Sequence, residues 1–194
     1  MSTVAGLATR ERLLAAAREL IEEGGYGSAS VAAIADRAGV ASGTVYRHFA
    51  SKAELFLEVF RAVCTGEERA MRAAAEQAGP AAVDRLEAVL ATFARRALQN
   101  RRLAWALLAE PVDPLVDAER LAYRERYASL VADELGAAIE AGEIPAQDVA
   151  FTAAALVGGC GEALVGPLSS VGGSDQVVDA IGTFVRRAIG ASAR

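Results

Sequence analysis

Residues 28–52 read SASVAAIADRAGVASGTVYRHFASK, and the spacing inside this stretch decides the fold. Ser30 stands directly before Val31, Ile34, Ala35 and Ala38, which is N-cap chemistry followed by helical periodicity. Gly39 ends that helix, and a second short helix fits Ser42 to His48. Small Ala35, Gly39 four later and apolar Val45 six beyond that form a helix-turn-helix pattern. The small residue lets two helices approach, glycine takes the turn, and the apolar residue locks the second helix on the first.

Outward from this stretch, the periodicity predicts helices throughout. Leu13, Leu14, Ala17, Leu20 and Ile21 lie on one helical face, closed by Gly24 and Gly25. After the short helix, Ala50 or Ser51 opens a fourth, carrying Leu55, Phe56, Val59, Phe60, Val63 and Cys64 and running to about Gln77. Further helices are expected over 82–98, 103–109, from Pro114 to about Ala141, from Gln147 to about Val165, and from Asp175 to about Ala191. Ser174 is the expected cap of the last helix, and 166–174 the expected loop before it. The expectation is an all-α protein of nine helices.

Composition agrees and removes several function classes. The chain has 194 residues, is 53% hydrophobic with abundant alanine, and carries five prolines. Its formal net charge is −5, so no chain-wide basic field marks a nucleic-acid binder, and any such role must rest on placement. Residues 1–60 hold six basic against seven acidic side chains, a local charge of −1. His48 is the only histidine and Lys52 the only lysine. With no second histidine and no ligand-spaced cysteine, a metal site is not expected, and no nucleophile–base pair suggests an enzyme. Cys64 and Cys160 are expected to be buried thiols of a cytoplasmic protein.

The N-terminal MSTVAGLATRER meets charge before an apolar core develops, so no signal peptide is expected. Val149–Leu168 resembles a membrane span in length. Glu162, four glycines and the absence of flanking basic or aromatic belts argue instead for a closely packed soluble helix.

Residues 9–60 resemble the DNA-binding domain of the TetR family of bacterial repressors. The matching run is LIEEGGYGSASVAAIADRAGVASGTVYRHFASKAELFLEVF, with its Gly-Tyr-Gly turn, Ser-Val-x-x-Ile-Ala helix, Ala-Gly-Val turn and Gly-Thr-Val-Tyr-x-His-Phe before Ser-Lys-x-Glu-Leu. Beyond residue 60 the resemblance lies in the helix order. It implies a DNA-binding domain over 1–52 and an effector-binding and dimerisation domain over 53–194. It also implies a homodimer that presents two recognition helices to successive major grooves of a palindromic operator, released by a small hydrophobic effector. No cofactor and no membrane partner are implied.

The residues themselves support those roles. Ser42, Gly43, Thr44 and Arg47 share one side of the short helix, while Val45 and Phe49 turn inward. Arg47 suits a guanine edge and Thr44 a base or phosphate; Tyr46, His48 and Lys52 suit phosphate oxygens, and Gly43 permits close backbone approach. Ala41 stands where the family usually caps this helix with Ser or Thr. Arg10 and Arg12, placed ahead of the first helix or in its first turn, are candidates for an added backbone or minor-groove contact.

For an effector pocket the aromatic candidates are Phe93, Trp105, Tyr123 and Tyr127, with Phe151 behind them. The acids Glu110, Asp113, Asp117 and Glu119 could attract a cationic ligand, but are more simply read as clustered at a helix N-terminus, where the dipole favours them. For a four-helix dimer interface the candidates are Ala155, Gly158, Gly159, Glu162, Ala163, Ile181 and Phe184, with Glu162 either meeting an arginine such as Arg186 at that interface or facing a pocket. A DNA-binding protein whose C-terminal part serves only dimerisation stays open beside this reading.

Overall fold

The computed structural model describes residues 4–169 and 174–191, and these fold into nine α-helices with no strand among them. They are α1 (Val4–Ser28), α2 (Val31–Arg37), α3 (Ser42–His48), α4 (Lys52–Gln77), α5 (Ala82–Gln99), α6 (Arg101–Leu108), α7 (Pro114–Glu140), α8 (Val149–Ser169) and α9 (Ser174–Ala188). The expected cap at Ser174 concerns a side chain outside the described set, as do 170–173 of the expected loop.

Several boundaries differ from the sequence reading. α1 begins at Val4, so Arg10 and Arg12 lie well inside it rather than at its start. Its helical path breaks at Gly25 (φ 79°, ψ −178°) and resumes to Ser28, so the glycine pair marks a kink and not the end. α8 runs past Val165 to Ser169 with Pro167 in its last turn, where the missing N–H costs a single terminal bond.

Contacts divide the chain into two compact units. The first comprises residues 1–63 and 100–120; the second comprises 64–99 and 121–194. The division falls inside α4 and inside α7, so each helix contributes to both.

In the first unit, α1 packs against α2 and α6, and α2 against α3. Ser30 caps α2, its hydroxyl accepting from Ala33 N at 3.1 Å. Gly39 (φ 66°) closes α2 with Gly39 N to Asp36 O and Val40 N to Ala35 O, a left-handed termination that favours glycine. Leu13, Ala17, Ile21, Ile34, Ala35, Val45, Phe49, Phe56 and Val59 form the core. The Ala35–Gly39–Val45 spacing therefore does what it predicts. Arg37 pins α2 to α1 through Glu19 and Glu23, and α4 opens on Ser51, whose hydroxyl accepts from Glu54 N at 3.1 Å.

In the second unit, α5 packs against α8 and α9, and α8 against α9. α5 buries Leu86, Val89, Leu90 and Ala94, and α8 buries Ala153, Leu156, Cys160, Leu164 and Leu168 along one stripe. Arg186 on α9 is held by Asp84 and Glu87 of α5. Glu143 caps the same end of α5, its carboxylate accepting from Ala82 N and Val83 N.

Candidate nucleic-acid interface

α3 presents its polar side outward because its apolar side is spent on the core. Val45 and Phe49 are fully buried, whereas Ser42, Gly43, Tyr46 and Arg47 are exposed and Thr44 and His48 half-buried. Tyr46 is 58% exposed, far more than a packing tyrosine needs. Arg47 Nη2 donates to Thr44 Oγ1 at 3.0 Å. Ala41 makes no side-chain cap, so the first turn of α3 keeps free backbone N–H groups. Six of the seven expected contact residues thus share one accessible edge.

Lys52 takes a different arrangement from the phosphate role expected of it. Its Nζ donates to Tyr26 O at 2.7 Å and lies 3.9 Å from the centre of the Tyr26 ring. Burial pulls its pKa below the usual lysine value, and the negative charge of Glu110 opposes that shift. Arg10, a candidate for an extra DNA contact, is also engaged: it pairs with Glu58 at 2.8 Å and stacks over Phe49. Arg12 is exposed.

In the second unit, three of the four expected pocket aromatics come together. Phe93 and Tyr127 have ring centres 5.9 Å apart, and Tyr123 and Tyr127 6.0 Å. Tyr127 donates to the Cys64 carbonyl at 3.2 Å, and the Tyr123 hydroxyl shares a 2.9 Å bond with Thr65 Oγ1. Burial is the main cause that pushes the Tyr127 phenol far above its ordinary pKa, so it serves as a neutral donor. Trp105, the fourth candidate, belongs to the first unit, half-buried on α6. Phe151 stands outside the cluster, 74% exposed at the start of α8.

The expected interface residues line one side of α8 and α9. Ala155, Gly158, Gly159, Glu162 and Ala163 are exposed on α8, opposite its buried stripe, and Phe184 is 46% exposed on α9. Gly159, Ala163, Ile181 and Phe184 line an apolar groove of about 740 Å³ between the two helices. Ile181 differs from the rest: its own chain buries it, leaving it at the groove floor. Within the chain, Arg186 is held by Asp84 and Glu87. α8 is long and apolar enough to cross a membrane by length and composition, yet only 22% of its most apolar window is buried.

Comparison with known proteins decides the family. Residues 13–59 match the family described as bacterial regulatory proteins, tetR family, and residues 79–164 match the tetracyclin repressor-like C-terminal domain. The HTH-type transcriptional regulator UidR of Escherichia coli K12 is 32% identical over 152 residues, covering 77% of this chain and 76% of UidR. The chain belongs to the TetR family. It is therefore a DNA-binding transcriptional regulator.

Among TetR-family relatives, the activator FasR of Mycolicibacterium smegmatis is 48% identical over 52 residues, covering 27% of this chain and 24% of FasR. Two solved structures share the fold. The fatty acid degradation regulator FadR of Bacillus halodurans superposes with TM-score 0.76 at 19% identity, covering 90% of this chain and 96% of its own. FadR of Bacillus subtilis, solved in complex with stearoyl-CoA, gives 0.75 at 22%, covering 94% and 99%.

The sequence reading misplaced one acid of this TetR-family chain. Glu110 does not act at the N-terminus of α7. Its carboxylate accepts from Tyr26 N at 2.9 Å and Gly27 N at 3.4 Å, while Asp113 alone caps α7 through Leu115 N at 3.0 Å. The available signal was Gly24–Gly25: a helix broken there leaves N–H groups that require an acceptor.

Proposed function

We propose that the protein is a repressor that binds a palindromic operator as a homodimer and is released by a small apolar effector. The observation that carries the DNA-binding half is α3, whose buried Val45 and Phe49 leave Ser42, Gly43, Thr44, Tyr46, Arg47 and His48 along one open edge. Arg47 and Thr44 read bases; Tyr46 and His48 hold phosphates. Lys52 acts from behind this edge, bracing Tyr26.

The α8–α9 side supports a dimer. Small residues permit close approach of helices, and a second copy is the occupant that covers a groove lined by Gly159, Ala163 and Phe184. The same contact explains an apolar, mostly uncovered α8 in a soluble cytoplasmic protein, since Glu162 opposes burial in lipid. The Phe93–Tyr123–Tyr127 cluster is where we assign the effector: rings packed inside the second unit, two of them buried, offer apolar faces to an aromatic or acyl ligand. B. subtilis FadR, solved with stearoyl-CoA, makes an acyl-CoA the first probe.

The experiment is selection from random-sequence DNA together with the DNA flanking the gene, followed by fluorescence anisotropy over a salt series. A palindromic consensus bound by two chains, and released by stearoyl-CoA or a small phenol, is the expected result. A protein that enriches no sequence refutes the DNA-binding reading. One that enriches a sequence yet ignores such probes favours a regulator whose second unit serves dimerisation alone.

A further inference from the structure

Both ends of α6 are tied to α1. At the N-terminal end Asn100 caps α6 through Leu103 N and donates from Nδ2 to Glu22 Oε1 at 2.8 Å. At the C-terminal end the Glu110 carboxylate receives the N–H groups of Tyr26 and Gly27, just beyond the break at Gly25. Glu110 comes so near that a Cβ at Gly25 would lie 2.9 Å from its Oε2. The positive φ favours glycine at 25, and a Cβ there would push the Glu110 carboxylate away from its N–H partners. Arg120 holds the presenting turn by donating to the carbonyls of Ala106, Leu107 and Glu110 at 2.7–2.8 Å.

The opposite side of the same peptide is occupied by Lys52. Glu110 accepts the Tyr26 and Gly27 N–H groups, the Lys52 ammonium donates to the carbonyl of the Tyr26–Gly27 peptide, and the Tyr26 ring lies under that ammonium and edge-on to Phe56, centroids 4.5 Å apart. Lys52 is the first residue of α4 and follows Phe49, the C-cap of α3, by three positions. Tyr26 precedes Ser30, the N-cap of α2, by four. The entry to the helix-turn-helix and its exit therefore meet at one peptide, clamped between a carboxylate from the end of α6 and an ammonium from the start of α4.

We propose that Glu110 is a positioning residue for operator binding, one that sets the pose of α3 through the Tyr26–Gly27 peptide and Lys52. The proposal rests on the reading of α3 as the DNA-contacting helix. Glu110, just past the end of α6, is joined directly to this clamp. Trp105 reports on it, because its carbonyl accepts from Ala109 N and Glu110 N in the turn that presents the carboxylate. Coupling is reciprocal, so DNA bound at α3 must alter the surroundings of that turn.

The test uses the full chain and an operator selected by the wild type. Affinity by anisotropy, melting by circular dichroism and Trp105 emission during DNA titration are compared for wild type, Glu110→Ala and Glu110→Gln. The expected result is operator binding weakened about tenfold or more in Glu110→Ala with little change in melting, and an intermediate value in Glu110→Gln, which retains one acceptor oxygen. DNA shifts Trp105 emission in the wild type, and the shift disappears in Glu110→Ala at saturating DNA. Should Glu110→Ala fail to fold, Glu110→Gln carries the comparison. Variant affinity within about twofold of wild type, or wild-type emission that ignores DNA, overturns the proposal while leaving the DNA-binding reading intact. A wild type that selects no DNA overturns that reading itself, and this proposal with it.

Discussion

Arg47 and Thr44 are fastened to each other across one turn of α3, Nη2 to Oγ1 at 3.0 Å. The two side chains best suited to base edges are thus ordered before DNA arrives, which lowers the entropy lost on binding. Arg47→Ala should relax specificity at one operator base pair by about 1–3 kcal/mol. Thr44→Ala should cost less and act partly through the freed arginine. Affinities for single-base-pair operator variants measure both; equal, sequence-independent losses would contradict the assignment.

Lys52→Ala should lower stability by about 1–2 kcal/mol, since it removes a charged hydrogen bond and a cation–π contact. Because the ammonium faces Tyr26, the salt slope of DNA binding should stay unchanged, against a drop of roughly 0.9 for each lost phosphate contact. Chemical denaturation and a salt series read the two effects separately.

Gly158 has open space around its Cβ position, and Phe184 is exposed, so Gly158→Arg and Phe184→Glu should leave the folded chain intact. If a second copy packs on α8 and α9, both variants should sediment as monomers and lose operator binding. Retention of the dimer in both would place the interface elsewhere.

Burial pushes the Cys160 thiol up from its ordinary value near 9 to about 11. The folded chain keeps that proton where the unfolded chain releases it, so stability is full below pH 9 and falls as pH rises toward 11. Cys160→Ala should flatten this alkaline decline, whatever it does to stability at pH 7. Urea melts between pH 8 and 11 give the slope; an unchanged slope would refute the assignment.

Local spacing made much of this molecule legible. Ser30, Ala35, Gly39 and Val45 lie within sixteen residues, and cap, small residue, turn and lock act over neighbouring turns of helix. The exposed edge of α3 follows from the same spacing, because residues that flank a buried Val45 and Phe49 must face out. Phe93, Trp105, Tyr123 and Tyr127 were readable as aromatic candidates, but nothing in the sequence says that Phe93, Tyr123 and Tyr127 are the three that meet.

Other assignments depended on partners distant in the chain. Glu110 and Tyr26 are 84 positions apart, Lys52 and Tyr26 are 26 apart, and Arg186 and Asp84 are 102 apart. An acid beside a helix start reads as a dipole partner, a lysine beside a recognition helix as a phosphate ligand, and an arginine near Glu162 as its mate. Each reading is locally sound. A charged side chain takes the strongest acceptor or donor within reach, and reach is set by how the helices pack. The sequence by itself determined the helices, their order and the face that α3 turns outward, because those follow from periodicity and caps. The tertiary structure alone decided which charges brace that face, with Glu110 and Lys52 closing on the Tyr26 peptide from opposite sides.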